Sequence, residues 1–389
     1  MREVSTKVMP LTVGEIGAAH LEGVLKRWKR DKSIAVKVFQ VEQEPFRFPK
    51  FGDKKFTRFV VDFESASGPR QARLVLRQLP KQDIATIATG DVMHRELQAV
   101  RSGLLRDLHC GLYVPYIEAL ERPDHDQRWV WMEDVTEDVK RLGAVDALSN
   151  ERLEAILSDA AGFHAINWAR QDRLSYPWLL TLQGQTASFL GTLRELLFGA
   201  REYSEVTKWR LANRPWLKDG LASFWPSLEA KTRVYLEGLV RDPQPFFDRW
   251  DSLPHTIVHG DFDQRNMGVH IGPEGEMTTV IDWELISHGH SSMDVSLLLA
   301  YNKPKNANEL LDHYLDSLGR SMKQKVDRAE WRVGYDLATI NHFLTRGIVF
   351  GLMAKHGMPN IPEEMRPQFV ARAQSDADKI TEICQRIFG

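Results

Sequence analysis

The chain opens on a helical period and then changes to strands. Between residues 11 and 29, Ile16, Leu21, Val24, Leu25 and Trp28 recur on one face, and Thr12 and Glu15 have the spacing of a capping box. Residues 34–40, 56–63 and 73–79 are rich in β-branched and aromatic side chains, with a turn at residues 65–69. They predict three successive antiparallel strands. The helical period returns over residues 91–105. Residues 114–120 and 129–135 then read as strands on either side of a turn at 122–127. From residue 151 the pattern is almost wholly helical, beginning with Leu153, Ile156, Leu157, Ala160, Ala161, His164 and Trp168 on one stripe. Two short β-like runs, at 256–258 and 277–281, interrupt it. Helices resume at 297–301, 309–318, 330–351 and 367–387, with Leu337, Ile340, Phe343, Leu344 and Ile348 as core positions. The pattern predicts an α+β fold: a small antiparallel sheet in residues 1–135, and a large, mainly helical part in residues 136–389. No internal repeat, low-complexity tract or linker is visible.

The chemistry concentrates where the helical pattern breaks. After the run at 256–258 comes His259-Gly260-Asp261-Phe262-Asp263-Gln264-Arg265-Asn266, a polar loop. The run at 277–281 ends abruptly at Asp282, followed by Trp283 and Glu284. A Gly-Pro-Glu-Gly turn within residues 268–276 would fold this segment into a hairpin and return Asp282 beside Asn266. Two carboxylates and an amide gathered in this way suit phosphoryl transfer. One carboxylate accepts the proton of an attacking hydroxyl; the other joins the amide oxygen in holding Mg²⁺, a hard ion that takes oxygen ligands.

The bulk properties exclude other classes. The chain has 389 residues, 43% hydrophobic and 27% charged, with a formal net charge of −2, so nothing global suggests nucleic acid or an anionic membrane. Two cysteines, Cys110 and Cys384, make no disulfide framework and fit a reducing cytoplasm. No secretory signal is evident near the start, and residues 348–354 form too short an apolar run to cross a bilayer.

The loop from His259 to Asn266 and the segment Ile281-Asp282-Trp283-Glu284 resemble the aminoglycoside phosphotransferase and choline kinase superfamily. Its catalytic loop reads His-Gly-Asp-x-x-x-x-Asn, and a later Ile-Asp-Trp/Phe-Glu supplies the metal carboxylate. Gly289 and Met293-Asp294-Val295 fit its Gly-x-Pro-x-x-Asp-Leu segment, with Ser291 in place of Pro. The resemblance implies a two-lobed, protein kinase-like fold, ATP or GTP with Mg²⁺, and a small-molecule hydroxyl acceptor. Asp261 is then the catalytic residue, and Asn266 and Asp282 hold the metal. Kinases carry a phosphate-binding Lys on the third strand, where this chain has Arg77. Arg77-Gln-Leu-Pro80 resembles the Leu-Arg-x-x-Pro of phosphotransferase domains fused to acyl-CoA dehydrogenases, so Arg77 takes the phosphate role. Glu96 pairs with it. Gly52 and Lys54 fall in the expected phosphate-covering loop, although Gly52 is its only glycine. Met132, Glu133 and Val135 form the hinge, with Met132 behind the base and the Glu133 carbonyl and Val135 amide bonding it. Lys37 sits on the first strand, before that loop, and imitates the phosphate-binding Lys without its position. His164, in Gly-Phe-His-Ala, and His259 read as structural braces.

Residues 171–250 contain Trp178, Trp209, Trp216, Trp225 and Trp250; in the superfamily this stretch walls the acceptor pocket. Residues 171–242 hold ten Lys or Arg and eight Asp or Glu, which favours a neutral or anionic acceptor over a polycationic one. The expectation is a cytoplasmic small-molecule kinase, monomeric or homodimeric, without nucleic-acid or membrane partners. Three alternatives stand beside it. Arg77 and the glycine-poor loop motivate a catalytically silent, kinase-like nucleotide-binding protein. The run of His259, Asp261, Asp263, His270, His288 and His290 motivates a metallohydrolase. The third is a protein kinase.

Overall fold

The computed structural model describes residues 12–42, 55–79, 91, 93–108, 111–142, 148–170, 175–273, 275–349, 351–352, 363 and 366–388. The chain divides into two compact units. The first is Met1–Lys81, Met93–Asp146 and Gln264–Glu284; the second is Gln82–Val92, Ala147–Asp263 and Leu285–Gly389. This differs from a single division after Val135, because the segment Gln264–Glu284 belongs with the first unit.

In the first unit, β1 (Ala35–Glu42), β2 (Lys55–Ser65) and β3 (Gly68–Gln78) pair antiparallel in sequence order. After β4 (Leu112–Tyr113) come β5 (Tyr116–Arg122) and β6 (Gln127–Glu133); β6 inserts beside β3, giving the described sheet the order β1-β2-β3-β6-β5. Alternation along the strands decides what each face carries. Leu74 and Leu76 of β3 join Phe59, Val61, Trp129 and Trp131 in a core closed by Leu21, Val24 and Leu25 of the helix Ala18–Lys29. Val75 and Arg77 therefore lie on the opposite face. The helix between β3 and β4 is shorter than its periodicity suggests. It spans Arg95–Arg101, and a second short turn, Leu104–Asp107, follows Gly103 at φ 80°. The capping box at Thr12 does not form. Its backbone oxygen accepts from Glu15 N–H at 3.1 Å without a side-chain cap, and the helix begins only at Ala18, after an extended Gly17.

The hairpin of β8 (Met267–Gly272) and β9 (Gly275–Val280) has the expected form, its register running from Met267 opposite Val280 to Gly272 opposite Gly275. It is tied to the first unit by parallel pairing of β9 with β4. Gly268 lets β8 approach the helix Thr136–Leu142 closely. A Cβ there would lie 2.6 Å from the Asp138 carbonyl carbon and 2.7 Å from Val139 N.

The second unit is mainly helical. Helices Asn150–Ile166, Leu182–Phe198, Glu205–Asn213, Trp216–Phe224, Ala230–Arg241 and Gln244–Asp251 precede a two-stranded pairing of β7 (Thr256–Val258) with β10 (Ser287–Gly289). Helices Ser292–Asn302, Ala307–Met322, Arg328–His342 and Arg366–Phe388 come after it. Ser149 caps the first of the unit's helices, its hydroxyl accepting from Arg152 N–H. Trp216, Trp225 and Trp250 pack with Phe224, Leu337 and Ile340 in the core, so these three tryptophans are packing residues rather than an exposed wall. The fold class is α+β as expected, with an antiparallel sheet and a mainly helical remainder. Among the described residues no helix is long and apolar enough to cross a membrane.

The close approach at Gly268 yields a prediction. Gly268→Ala should destabilise the protein by about 1–3 kcal/mol, because backbone atoms cannot move aside as a flexible side chain can. Urea denaturation checks this; an unchanged midpoint would mean that β8 and the helix part at little cost.

Candidate active site

The first unit carries a cluster of charge around Arg77. Side-chain exposure is 4% for Arg77 and 2% for Glu96, and their ion pair measures 2.7 Å between Nη1 and Oε1. Nη1 also donates to Asp282 Oδ1 at 2.9 Å, and Nη2 donates to Glu284 Oε2 at 3.0 Å. Tyr116 completes the arrangement. Its hydroxyl donates to Glu96 Oε1 and accepts from the backbone N–H of Asp282 at 3.0 Å. That bond holds a strained residue, since Asp282 has φ 65°, a left-handed conformation that side chains other than glycine seldom adopt. Asn266 ends the helical turn Gln264–Asn266 at the base of the hairpin, where its carbonyl accepts from Ile281 N–H at 3.0 Å. The hairpin thus brings Asn266 back to the residue preceding Asp282.

One cation faces three carboxylates. Burial opposes the charge on Arg77, yet Glu96, Asp282 and Glu284 together raise its pKa well above the ordinary guanidinium value. Burial also dominates at Glu96 and, against the pull of Arg77 and with Asp282 adding repulsion, raises its carboxyl to about 7. Such a surplus of carboxylate oxygens suits a divalent cation with a preference for oxygen, and the Asn266 side chain offers an amide oxygen of the same chemical type. Among the described residues no group of three or more His, Cys, Asp or Glu is arranged to hold a metal by itself. Mg²⁺ sites commonly need only one or two carboxylates, the substrate's phosphates supplying further ligands.

The hinge candidates end β6 in the same unit. Met132 and Val135 are buried, and Glu133 N–H donates to Pro115 O at 2.9 Å. The Glu133 carboxylate accepts from the Tyr113 hydroxyl. Tyr113 stacks on His270 of β8 at 3.6 Å between ring centroids, and His270 Nδ1 lies 3.1 Å from Asp138 Oδ2. Gly52, Lys54 and Pro80 lie outside the described residues. Lys37 stands exposed on β1.

Asp261 belongs to the second unit, where the backbone around it is pinned from several directions. The fully buried Asp294 carboxylate accepts from His259 N–H at 2.7 Å, from Gly260 N–H at 2.9 Å and from His164 Nε2 at 3.2 Å. Asp261 N–H donates to His259 Nδ1 at 3.1 Å. Gly260 has φ 81°, and a Cβ there would meet Leu285 O at 2.4 Å, so this position requires glycine. Arg346 donates to the Asp261 carboxylate and, at 2.9 Å, to Gly260 O. His164 and His259 are therefore braces, as their sequence setting suggests. His290 is buried against Trp250 and Trp331, its pKa lowered to about 3 chiefly by burial.

Three residues of these clusters escaped sequence reasoning. Glu284 is in the motif that contains Asp282 but had no role assigned. Arg346 left a signal, a lone arginine in an apolar helical stretch. Tyr116 left none, because only tertiary contact distinguishes it from any strand tyrosine.

The sequence match gives the class of protein. The chain belongs to the phosphotransferase enzyme family, whose model matches residues 57–332. No curated protein matches it significantly. Among solved structures it is similar to the GDP complex of an aminoglycoside 2'-phosphotransferase-IIIa, at 13% identity over 94% of this chain and 99% of that one, with a TM-score of 0.42. A microcompartment-associated aminopropanol kinase matches at 13% identity over 95% and 98%, with a TM-score of 0.45. The choline kinase LicA from Streptococcus pneumoniae matches at 14% identity over 93% and 99%, with a TM-score of 0.45.

The Arg77 cluster can be tested in two ways. Arg77→Ala would leave Glu96 buried without its cation and should cost about 3–5 kcal/mol of stability. The double variant Arg77→Ala/Glu96→Gln should cost clearly less than the two single losses combined; additive losses would mean that the pair does not act as a unit. The pH dependence is signed. The folded state holds the Glu96 proton more tightly than the unfolded chain does, so its contribution is present below an ordinary value of 4.5 and lost as pH rises through about 7. Across that window the stability of the native protein should fall relative to Glu96→Gln, as read from urea midpoints at a series of pH values. A relative rise would show that the Arg77 attraction outweighs burial.

Proposed function

We propose that the protein is a small-molecule kinase. It transfers the γ-phosphate of a nucleoside triphosphate, ATP or GTP, to a hydroxyl of a metabolite or antibiotic. The observation that carries this reading is the buried Arg77–Glu96 pair with Asp282, of the Ile-Asp-Trp-Glu segment, on the same guanidinium. Kinase chemistry needs a cation fixed against the phosphates and a carboxylate at the metal, both held before the substrate arrives.

In this reading Arg77 is oriented by Glu96 and turns its charge to the phosphates. Asn266 and Asp282 would hold Mg²⁺, which when bound neutralises charge on the phosphate oxygens. Met132, Glu133 and Val135 line the base, and Gly52 and Lys54 cover the phosphates. Asp261 orients the acceptor hydroxyl and takes its proton as the oxygen attacks phosphorus and the bond to the leaving diphosphate breaks. The enzyme works in the cytoplasm on a free small molecule, as a monomer or homodimer.

Asp261→Asn tests the chemistry. It keeps the shape and one acceptor oxygen but loses charge and basicity. Nucleotide binding should stay near normal, while turnover falls by about 10² or more. Native-like turnover in this variant would remove Asp261 from the mechanism.

A further inference from the structure

We propose that Arg346 is a positioning residue of the transfer reaction. Its guanidinium fixes the Asp261 carboxylate and the loop that carries it. The inference rests on the proposed role of Asp261 as the proton acceptor.

Gly260 and Asp261 are held from several sides, and Asp263 N–H donates to Asp261 O at 2.9 Å. Asp294 takes Gly260 N–H, and His259 Nδ1 takes Asp261 N–H. Both of these act on the backbone. Arg346 supplies two more, on Gly260 O and on the Asp261 side chain. Arg346 spans main chain and carboxylate, and so ties the carboxylate's direction to the loop. A guanidinium suits this task, because its planar, rigidly spaced donors engage two oxygens at once.

The helix is distorted at the place where Arg346 is delivered. The helix Arg328–His342 passes into a π-helical turn, Phe343–Gly347. Such a turn carries an extra residue and rotates the residues beyond it by about 100° relative to a straight α-helix. It is an energetically poor conformation and occurs frequently at functional sites. Its flanks are secured: Thr345 Oγ1 donates to Asn341 O at 2.7 Å, and His342 Nε2 bonds Met293 O at 2.8 Å. A Cβ at Gly347 would come within 2.7 Å of the Phe343 ring, so the turn also depends on a small residue there. Arg346 keeps its charge in this setting. Burial is the largest single effect and opposes it, but Asp261, with Tyr301 and Asp263 adding to its pull, raises the guanidinium pKa. Side-chain exposure is 22% for Arg346 and 23% for Asp261, so the pair lies part-exposed rather than sealed in the core.

The test uses the full chain with Mg-ATP and a pooled panel of hydroxylated metabolites. Arg346→Ala should lower turnover about 10–100-fold, the scale of a misoriented reacting group, with the KM for ATP nearly unchanged. Added guanidinium ion, at concentrations well below those that unfold the protein, should restore part of the loss. Arg346→Lys keeps the cation but loses the paired donors, and should fall between native and Arg346→Ala. It also serves as the readout if the alanine variant does not fold. Turnover abolished by Asp261→Asn but left within about 2-fold by both Arg346 variants would overturn this inference alone. So would a loss that matches the unfolded fraction and does not respond to guanidinium. No turnover by the native protein, or turnover indifferent to Asp261→Asn, would bring down the functional reading and this inference with it.

Discussion

The charge cluster of the first unit depends on a buried cation, Arg77. Arg77 is nearly inaccessible, and its charge is tolerable only because carboxylates meet it. The arrangement is graded. Glu96 is buried, while Asp282 and Glu284 are partly exposed at 29% and 36%. The cation is thus anchored on its inner side and contacts ligand-accessible carboxylates on its outer side. A lysine would offer a compact charge in place of a planar array of donors, and would not engage Glu96, Asp282 and Glu284 in the same directions. The arginine at this strand position is thereby accounted for as a geometric choice rather than a defect.

The second unit obeys the same rule with the charges reversed. Asp294 is a buried carboxylate made tolerable by two backbone N–H groups and His164. It lies over thirty residues beyond the loop it organises, so the loop's shape is set by tertiary contact and not by its local sequence. His164 is fixed in turn, with Nδ1 2.9 Å from the Tyr314 hydroxyl. In both units a buried charge is met by partners already in place: Arg77 by carboxylates, Asp294 by the backbone next to Asp261.

Much of this was legible in the residues. The strand order could not be read directly, but the third strand carrying Arg77 could, and the turn residues between β8 and β9 announced the hairpin that returns Asp282 to Asn266. The motif at 259–266 singled out Asp261 through its resemblance to the His-Gly-Asp-x-x-x-x-Asn loop of the phosphotransferase superfamily. Local signals failed where distant contacts decided. Thr12 and Glu15 have capping-box spacing, yet the chain makes a separate short turn there and starts its helix at Ala18. Nothing local reveals that Tyr116 bridges two charged residues, or that the regular period over residues 330–351 conceals a π turn. The tryptophans of 171–250 left both readings open for a related reason: an apolar face reads the same whether it meets a ligand or another helix, and Trp216, Trp225 and Trp250 meet the core.

The strain at Asp282 ties the cluster together. A left-handed conformation is uncommon for residues other than glycine, though aspartate and asparagine adopt it more readily than most. Here the Tyr116 hydroxyl holds the backbone N–H and Arg77 holds the side chain, and both of those groups also hold Glu96. Asp282 and Glu96 are therefore not independent. Each is fixed by the same two partners, one aromatic and one cationic, so a change in the charge of Glu96 reaches Asp282 through bonds it already makes. The raised pKa of Glu96 comes from this sharing as well as from burial, since one guanidinium divided among three carboxylates cannot fully offset the desolvation of the deepest. A cation arriving at the outer carboxylates would relieve that shortage and leave Arg77 more completely to Glu96. The physical logic of the cluster is thus one of charge imbalance, with the deficit placed where a positively charged ligand can reach it.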